Sequence, residues 1–192
     1  MPPSTRITRE MILKTGYELV VASGIESVNS RSIAKMLGCS TQPIFSQFPS
    51  MEELKQEIHD LACQKFEQSV LCYVDSDSFM LSSYLNVINL AKNQKNIFKL
   101  IYLSEYCMGE NFLNTRMNFE SNKRIWHEIK LKYQVNDNEC SDILERISLL
   151  VQGIATVIAT SNIQYSDEQV IDIVENTLKD IIMGIRERRR KL

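Results

Sequence analysis

Residues 30–58 read SRSIAKMLGCSTQPIFSQFPSMEELKQEI. Ile33, Ala34 and Leu37 recur there at helical spacing, and Gly38 follows at once, the residue best suited to the left-handed conformation that ends a helix. Asn29 or Ser30 can cap this short helix. Cys39 and Ser40 lead into a second one, capped by Ser40 and running from Thr41 to about Gln47. Phe48 and Pro49 end it, because proline disfavours helical geometry in the residue before it. Pro43 falls in the first turn, where backbone donors have no intrahelical acceptor to lose. Two short helices joined by a glycine turn have the spacing of a helix-turn-helix. Ala34 is small enough for the helices to approach closely, and Ile33, Leu37, Ile44, Phe45 and Phe48 can fill a common core.

Outward from this stretch, apolar residues recur at three and four almost everywhere, and no alternating run of Val, Ile and Thr suggests a sheet. An all-α chain is expected. Before the motif, a helix over about Arg6 to Ser23 carries Ile12, Thr15, Leu19 and Ala22 on one face, with Gly24 placed to end it in the left-handed conformation. After it, Ser50 and Glu53 form a capping box that opens a long helix to about Tyr73, with Leu54, Ile58, Leu61, Ala62, Phe66 and Val70 as its apolar face. Asp75 to Ser78 breaks the pattern. Helices are then expected at about 79–93, 95–107, 112–134, 139–160 and 167–190, the last capped by Ser166 with Gln169.

The chain has 192 residues, 44% of them hydrophobic, with six glycines and four prolines, enough to bury a core and too few breakers for long linkers. No run of about 18 apolar residues occurs, and the N-terminus MPPSTRITRE has no apolar segment behind its charges. Neither a membrane span nor a signal peptide is expected, and the cytoplasm is the expected compartment. The net charge of −2 conceals a segregation. Residues 1–50 hold five basic groups (Arg6, Arg9, Lys14, Arg31, Lys35) against three acidic ones, residues 51–180 hold 12 against 20, and residues 181–192 hold five against one. A basic head on an acidic body points weakly to a polyanion-binding head.

Cys39, Cys63, Cys72, Cys107 and Cys140 form no CxxC pair, and the only histidines, His59 and His127, are too far apart for a metal pair on one helix. Reduced thiols, no metal and no cofactor are expected. An enzyme is not expected either: His59 has Asp60 beside it and His127 has Glu128, but sequence neighbours on a helix do not face each other.

The stretch 30–58, preceded by REMILKTGYELVVASGIESVN (residues 9–29), resembles the N-terminal DNA-binding domain of the TetR/AcrR family of transcriptional regulators. The resemblance rests on Ile33, Ala34, Gly38, Ser40, Phe45, Phe48, Pro49, Ser50, Glu52, Glu53 and Leu54. It covers about 50 residues; the other 140 or so match only in length and helical organisation. It implies a three-helix helix-turn-helix domain over 1–50, linked by the long helix 51–73 to a helical ligand-binding and dimerisation domain within 51–192. It further implies a homodimer that represses transcription at a double-stranded DNA operator and leaves it when a small molecule binds. The sequence departs from the family at Phe45, where most members have Tyr, and at Met51, where most have Lys; both positions usually touch phosphates, which position a protein without reading sequence.

On that basis Thr41, Gln42, Pro43, Phe45, Ser46 and Gln47 are the candidates for the major groove, Gln42 as a paired hydrogen-bonding partner of adenine and Pro43 through apolar contact alone. Asn29, Arg31 and Ser50, near helix N-termini, are candidate phosphate contacts, and Arg6 a candidate arm. Aromatic residues and methionines concentrate between 79 and 134, the materials of an adaptable apolar pocket. Phe66, Tyr84, Tyr102, Tyr106, Phe119 and Trp126 are the ligand candidates, with Tyr102 and Tyr106 the preferred pair and a largely apolar inducer expected. The last two helices are apolar over more than one face, so Ile147, Leu150, Ile154 and Ile158 with Val174, Leu178 and Ile181 are the candidate two-fold interface. The basic tail, Arg186 and Arg188 to Lys191, suits a helix C-terminus. The competing readings are a helical protein-interaction module, or a thiol-based redox regulator, that keeps the helix-turn-helix head.

Overall fold

The computed structural model describes residues 7–72, 78–106 and 119–191. Among them are nine α-helices and no strand. They are α1 (Arg9–Ser23), α2 (Ser30–Leu37), α3 (Gln42–Gln47), α4 (Met51–Cys72), α5 (Phe79–Asn93), α6 (Lys95–Leu103), α7 (Glu120–Tyr133), α8 (Asp137–Thr160) and α9 (Asp167–Arg190), with one 3₁₀ turn, Ile25–Ser27, after α1.

Local chemistry sets most of these ends. α1 starts at Arg9, not Arg6, because the Thr8 hydroxyl accepts the Met11 N–H at 3.2 Å. Gly24 ends it with φ 82° and ψ 169°, a positive φ outside the expected left-handed helical region, and the chain passes into the 3₁₀ turn. Gly38 does take the left-handed conformation, at φ 64° and ψ 33°. α8 begins two residues early because Asn136 and Glu139 form a capping box, and Ser166 with Gln169 forms the expected one before α9. Only half of the expected Ser50–Glu53 box is built as such: the Glu53 N–H donates to Ser50 Oγ at 3.1 Å, while the Glu53 carboxylate accepts from Arg9. Residues 112–118 of the expected 112–134 helix, and Tyr73, lie outside the described residues.

The described residues of 1–66 and 94–107 form one compact unit, and those of 67–93 and 108–192 another. The packed unit containing the helix-turn-helix therefore takes in most of α4 and all of α6, beyond the expected division after residue 50. In this first unit the buried face of α1 is Ile12, Thr15, Gly16 and Val20, with Leu19 only half-buried and Ala22 exposed. Ile12 and Thr15 are buried as expected, while Gly16 and Val20 take the places of Leu19 and Ala22, with Gly16 set against Ile58 of α4. A Cβ added there would collide with Ile58 Cδ1 and crowd Cγ1 at 3.3 Å. Around this contact Ile33, Ile44, Phe48, Leu54, Ile58, Phe98 and Leu100 are almost wholly removed from solvent. Such aliphatic and aromatic side chains contribute about 1.5–3 kcal/mol each, so packing outweighs any single cap.

In the second unit α8 is the hub, packing against α5, α7 and α9. One 18-residue window of α8 has mean hydropathy 1.5, long and apolar enough for a membrane span by composition, yet half of it is buried inside the chain. A core helix with neighbours on three sides has the same composition. Two carboxylates from distant sequence close helix ends here. Glu128 of α7 accepts from Ser78 Oγ at 2.7 Å and from the Met80 N–H at 2.8 Å at the start of α5. Glu67 of α4 accepts from the Ser121 N–H at 2.7 Å and Oγ at 2.6 Å at the start of α7. Each anion satisfies donors that the helix cannot and opposes the dipole's positive end.

The Gly16–Ile58 contact generates a coupled prediction. Gly16→Ala gains helix propensity but overpacks a buried contact, a cost of about 1–3 kcal/mol that outweighs the roughly 1 kcal/mol of propensity. Urea denaturation should show net destabilisation in the native background and net stabilisation in an Ile58→Val background, which lacks the colliding methyl. Simple additivity of the two substitutions would contradict the contact.

Candidate nucleic-acid interface

α2 and α3 are held at their turn by backbone and by core. The Cys39 N–H donates to Ala34 O at 3.0 Å and Gly38 caps α2, so the chain reverses within four residues. α3 begins at Gln42 with Thr41 as its N-terminal flanking residue, one position later than expected, and Thr41 rather than Ser40 occupies the cap position without a side-chain cap bond. Pro43 sits in the first turn as anticipated. Phe48 ends the helix at φ −128° and ψ 119°, the extended geometry that Pro49 requires.

The six residues of α3 divide cleanly. Ile44 is buried, and Phe48 just beyond it is also buried. Gln42, Phe45 and Ser46, spaced three and four apart, are exposed on one face, whereas Thr41, Pro43 and Gln47 are half-buried at its edges. Phe45, apolar enough for the shared core and also a groove candidate, is 51% exposed and so not a core residue. It presents an aromatic surface on the same face as two hydrogen-bonding side chains. The Ser46 hydroxyl donates to Pro43 O at 2.7 Å and retains its acceptor lone pairs.

Of the phosphate candidates, Asn29 is engaged within the fold. Its Oδ1 accepts the N–H groups of Arg31 at 3.1 Å and Ser32 at 3.0 Å, its Nδ2 donates to Ser27 O at 3.2 Å, and its own N–H donates to Ser32 Oγ. Asn29 thus builds the N-terminus of α2, while Arg31, directly after it, is exposed. Ser50 is exposed and caps α4 through its Oγ. Arg6 lies outside the described residues.

The residue that sequence reasoning overlooked is Arg9. Its guanidinium lies 3.9 Å over the Phe48 ring, donates to the carbonyl of Gln47, and pairs with the carboxylates of Glu53, at 3.1 Å, and Glu57. These hydrogen bonds, Glu53 first and then Glu57, raise its pKa further, so the charge is permanent. Counted only as part of a basic head, Arg9 is neutralised inside it. Among the described residues of 1–50 the exposed cations are Lys14, Arg31 and Lys35. On the far side of the α4 N-terminus, Tyr106 Oη donates to Glu52 Oε2 at 3.0 Å, and burial followed by this bond pushes the phenol pKa well above its ordinary value.

The ligand candidates are divided between the two units. Phe66, Tyr102 and Tyr106 belong to the first unit, and Tyr84, Phe119 and Trp126 to the second. In the first, Phe66 meets Tyr102 edge-on at 6.1 Å and Tyr102 stacks on Phe98 at 5.0 Å. Tyr106 does not pair with Tyr102, because α6 ends at Leu103 and the hydroxyl of Tyr106 goes to Glu52. α6 also docks on α1, with Asn96 Nδ2 donating to Val21 O at 3.1 Å. The long helix is therefore joined in the head unit by a second element. In the second unit Tyr84 is buried, Phe119 and Trp126 are half-buried, and the Trp126 carbonyl accepts from the Cys140 thiol at 3.5 Å.

The candidate two-fold rows face the interior of their own chain. Ile147, Ile154 and Ile158 of α8, and Val174, Leu178 and Ile181 of α9, are buried within the chain itself, and Leu150 is half-buried. The most apolar row of each helix faces its own core. What α8 leaves outside is Leu149, 50% exposed, and Gly153, flanked by the half-buried Leu150 and Val157; α9 leaves Met183, 60% exposed, with half-buried Ile173, Thr177 and Gly184. The basic tail is partly used inside the second unit: Arg189 bonds Glu139 and the Gln134 carbonyl, and Arg188 lies 3.8 Å from Asp142. One expected separation fails outright, since His59 Nδ1 lies 3.1 Å from Asp60 Oδ1 although the two are neighbours on α4.

No protein-family model and no curated protein matches the sequence. Solved structures do match. A protein described as a TetR-family transcriptional regulator from Vibrio parahaemolyticus superposes with TM-score 0.61 at 18% identity, over 89% of this chain and 96% of its own. A single-residue variant of TetR from Acinetobacter baumannii, in complex with minocycline, gives 0.61 at 12% identity, over 95% and 98%. A protein described as a transcriptional regulator from Saccharomonospora viridis, in complex with choline, gives 0.54 at 19%, over 91% and 95%. The chain has the fold of TetR-family transcriptional regulators, with a helix-turn-helix head and a helical body.

The position of Asn29 separates its two roles. Asn29→Ala should cost about 1 kcal/mol in thermal or urea unfolding, whereas Asn29→Asp, which keeps an acceptor for both N–H groups, should unfold like the native chain. Equal losses for both variants would remove the cap from the account.

Proposed function

We propose that the protein is a dimeric transcriptional repressor of the TetR family that reads a palindromic operator through α3 and leaves it when a small molecule binds the body. The observation that carries this reading is the exposed face of α3, where Gln42, Phe45 and Ser46 stand clear of a helix whose opposite face is fixed by Ile44, Phe48 and the Arg9 clamp. A six-residue helix with no core of its own has no structural need for such rigid presentation; a groove-reading helix does. Working on chromosomal DNA, it belongs in the cytoplasm. Phe45 replaces a hydroxyl donor and Met51 an ammonium, so phosphate anchoring falls to Arg31, Ser50, Lys35 and the N-terminus of α2.

A small-molecule ligand is supported by the neighbours in fold, one in complex with minocycline and another with choline. In this chain Phe66 and Tyr102 in the first unit, and Tyr84, Phe119 and Trp126 in the second, are the aromatic surfaces that favour a largely apolar inducer. The ligand acts by its differential affinity for two positions of the head. For the two-fold interface we infer the stripe Leu149, Leu150, Gly153 and Val157 of α8 with Ile173, Thr177, Met183 and Gly184 of α9. A Cβ on Gly153 would meet nothing within 4 Å, so this side of α8 has room for another helix.

Selection of bound sequences from random duplexes with the full chain tests the reading. A two-fold symmetric site is expected, with half-sites about one helical turn apart or somewhat more, and no enriched sequence would overturn it. On that site Gln42→Ala should relax preference at one position per half-site, costing roughly 1–3 kcal/mol per lost paired contact. Arg31→Ala should weaken all sequences alike and lower the salt slope.

The relocated interface has its own test. Leu149→Glu combined with Met183→Glu should give a monomer by light scattering with an unchanged helical circular-dichroism spectrum, and tight operator binding should go with the dimer. A persistent dimer would place the interface on another face.

A further inference from the structure

A cleft of about 480 Å³ lies in the first unit between the end of α1, the 3₁₀ turn and α6. That volume suits a small organic molecule. Its apolar lining is Leu100, which is buried, with Ile25 half-buried and Leu103 exposed at the rim. Leu100 and Leu103 are three apart on α6 and so share one face of it. The polar lining is rich in acceptors. Glu26 and Glu105 are exposed there, and among the described residues neither has an ion-pair partner. Asn96 spends its Nδ2 on the Val21 carbonyl, which leaves its Oδ1 as an acceptor. Among the described residues that line the cleft, Lys99 is the only cation.

Two helix ends add to this charge. α1 stops at Ser23 and α6 at Leu103, both of which line the cleft, and neither helix carries a basic residue in its last turn. A helix C-terminus carries about half a unit of negative charge, so two uncompensated ends border the same space as two carboxylates. Tyr106, buried in the cleft wall, registers the sum. Its hydroxyl donates to Glu52 Oε2 at 3.0 Å, and its pKa is raised first by burial, then by that bond, and further by the charges of Glu52, Glu105 and Glu26. Carboxylates from the 3₁₀ turn, from α4 and from the residues after α6 thus set one negative potential around an apolar floor.

We propose that this cleft is a binding site for amphipathic organic cations of the alkylammonium class. The ammonium group sits at the helix ends between Glu26 and Glu105, and the alkyl stem lies on Leu100, Leu103 and Ile25. Neither half suffices alone. Exposed ion pairs contribute little, so the stem anchors the molecule and the charge selects it. A carboxylate head would be repelled by Glu26 and Glu105, and a neutral head would gain nothing from them. The site is separate from the aromatic surfaces offered to an apolar inducer: Tyr106 lines the cleft, whereas Phe66, Tyr84, Tyr102, Phe119 and Trp126 do not. The inference goes beyond the repressor reading and does not rest on it, since binding is measured without DNA.

The test is isothermal titration calorimetry of the full chain at neutral pH with n-hexylammonium, n-hexanol and n-hexanoate, which share one stem and differ in head charge. Hexylammonium is expected to bind about fivefold or more tighter than hexanol, and hexanoate more weakly than either. Glu26→Gln combined with Glu105→Gln, both at exposed positions, should erase the preference for the ammonium over hexanol with native thermal melting retained. Lys99→Met, which keeps the stem and removes the lining cation, should raise hexylammonium affinity several-fold and leave hexanol unchanged. Leu103→Ala should weaken both alike. Absence of hexylammonium binding overturns the proposal. So does equal affinity for hexylammonium and hexanol in the native chain, or an ammonium preference that survives the double substitution.

Discussion

One cation ties α1, α3 and α4 together across the core of the first unit. Arg9 stands at the start of α1 and reaches the end of α3, through the Gln47 carbonyl and the Phe48 ring, as well as the first two turns of α4, through Glu53 and Glu57. α3 is too short to be stable alone, because nucleating a helix fixes several residues for very few hydrogen bonds. Its orientation has to come from outside. Ile44 and Phe48 supply the buried side, and Arg9 supplies the directional part, since a guanidinium with several fixed donors determines the angles as well as the distances of its partners. The same pairing neutralises two carboxylates in the first two turns of α4. Tyr106, a neutral donor, binds the Glu52 carboxylate without cancelling its charge.

The second unit relies on a related device. Glu67 and Glu128 close the N-termini of α7 and α5, each accepting from a backbone N–H and a serine hydroxyl about fifty residues away in sequence. A carboxylate engaged in this way joins two elements and satisfies helix ends that local sequence leaves open: Phe119, before α7, has no capping oxygen. α8 then sits among α5, α7 and α9 as a helix apolar on most sides, which explains why its composition alone would serve a membrane equally well.

Polar partners at short range on α4 have a different consequence. His59 lies in the first unit among residues that are mostly hydrocarbon, yet it is linked on both sides, to Asp60 and Cys63. Burial makes each of those hydrogen bonds worth keeping, because an unpaired imidazole in that position would lose its water without replacement.

Features governed by neighbours three or four residues apart were legible in the sequence. Asn29, Gly38, Pro49 and the Ser166–Gln169 box act on their own turns, and the bounds of α2, α3 and α9 follow from them and from the 3.6-residue period without reference to the rest of the chain. The helix-turn-helix, the position of Pro43 and the all-helical class belong to that level. Tertiary structure decided whatever depends on residues 38 to 54 positions apart: the bonding of Arg9 to α3 and α4, the carboxylate caps, and the pairing of Tyr106 with Glu52 instead of with Tyr102. It also decided which way each apolar row faces. A helix apolar on most of its circumference presents several equivalent stripes to a sequence reader, and only the placement of its neighbours turned Ile147, Ile158 and Val174 inward and left Leu149 and Met183 outside. Phe45 is the converse case, an aromatic that hydropathy assigns to the core and that the short span of α3, with Ile44 and Phe48 already filling the buried side, turns to solvent.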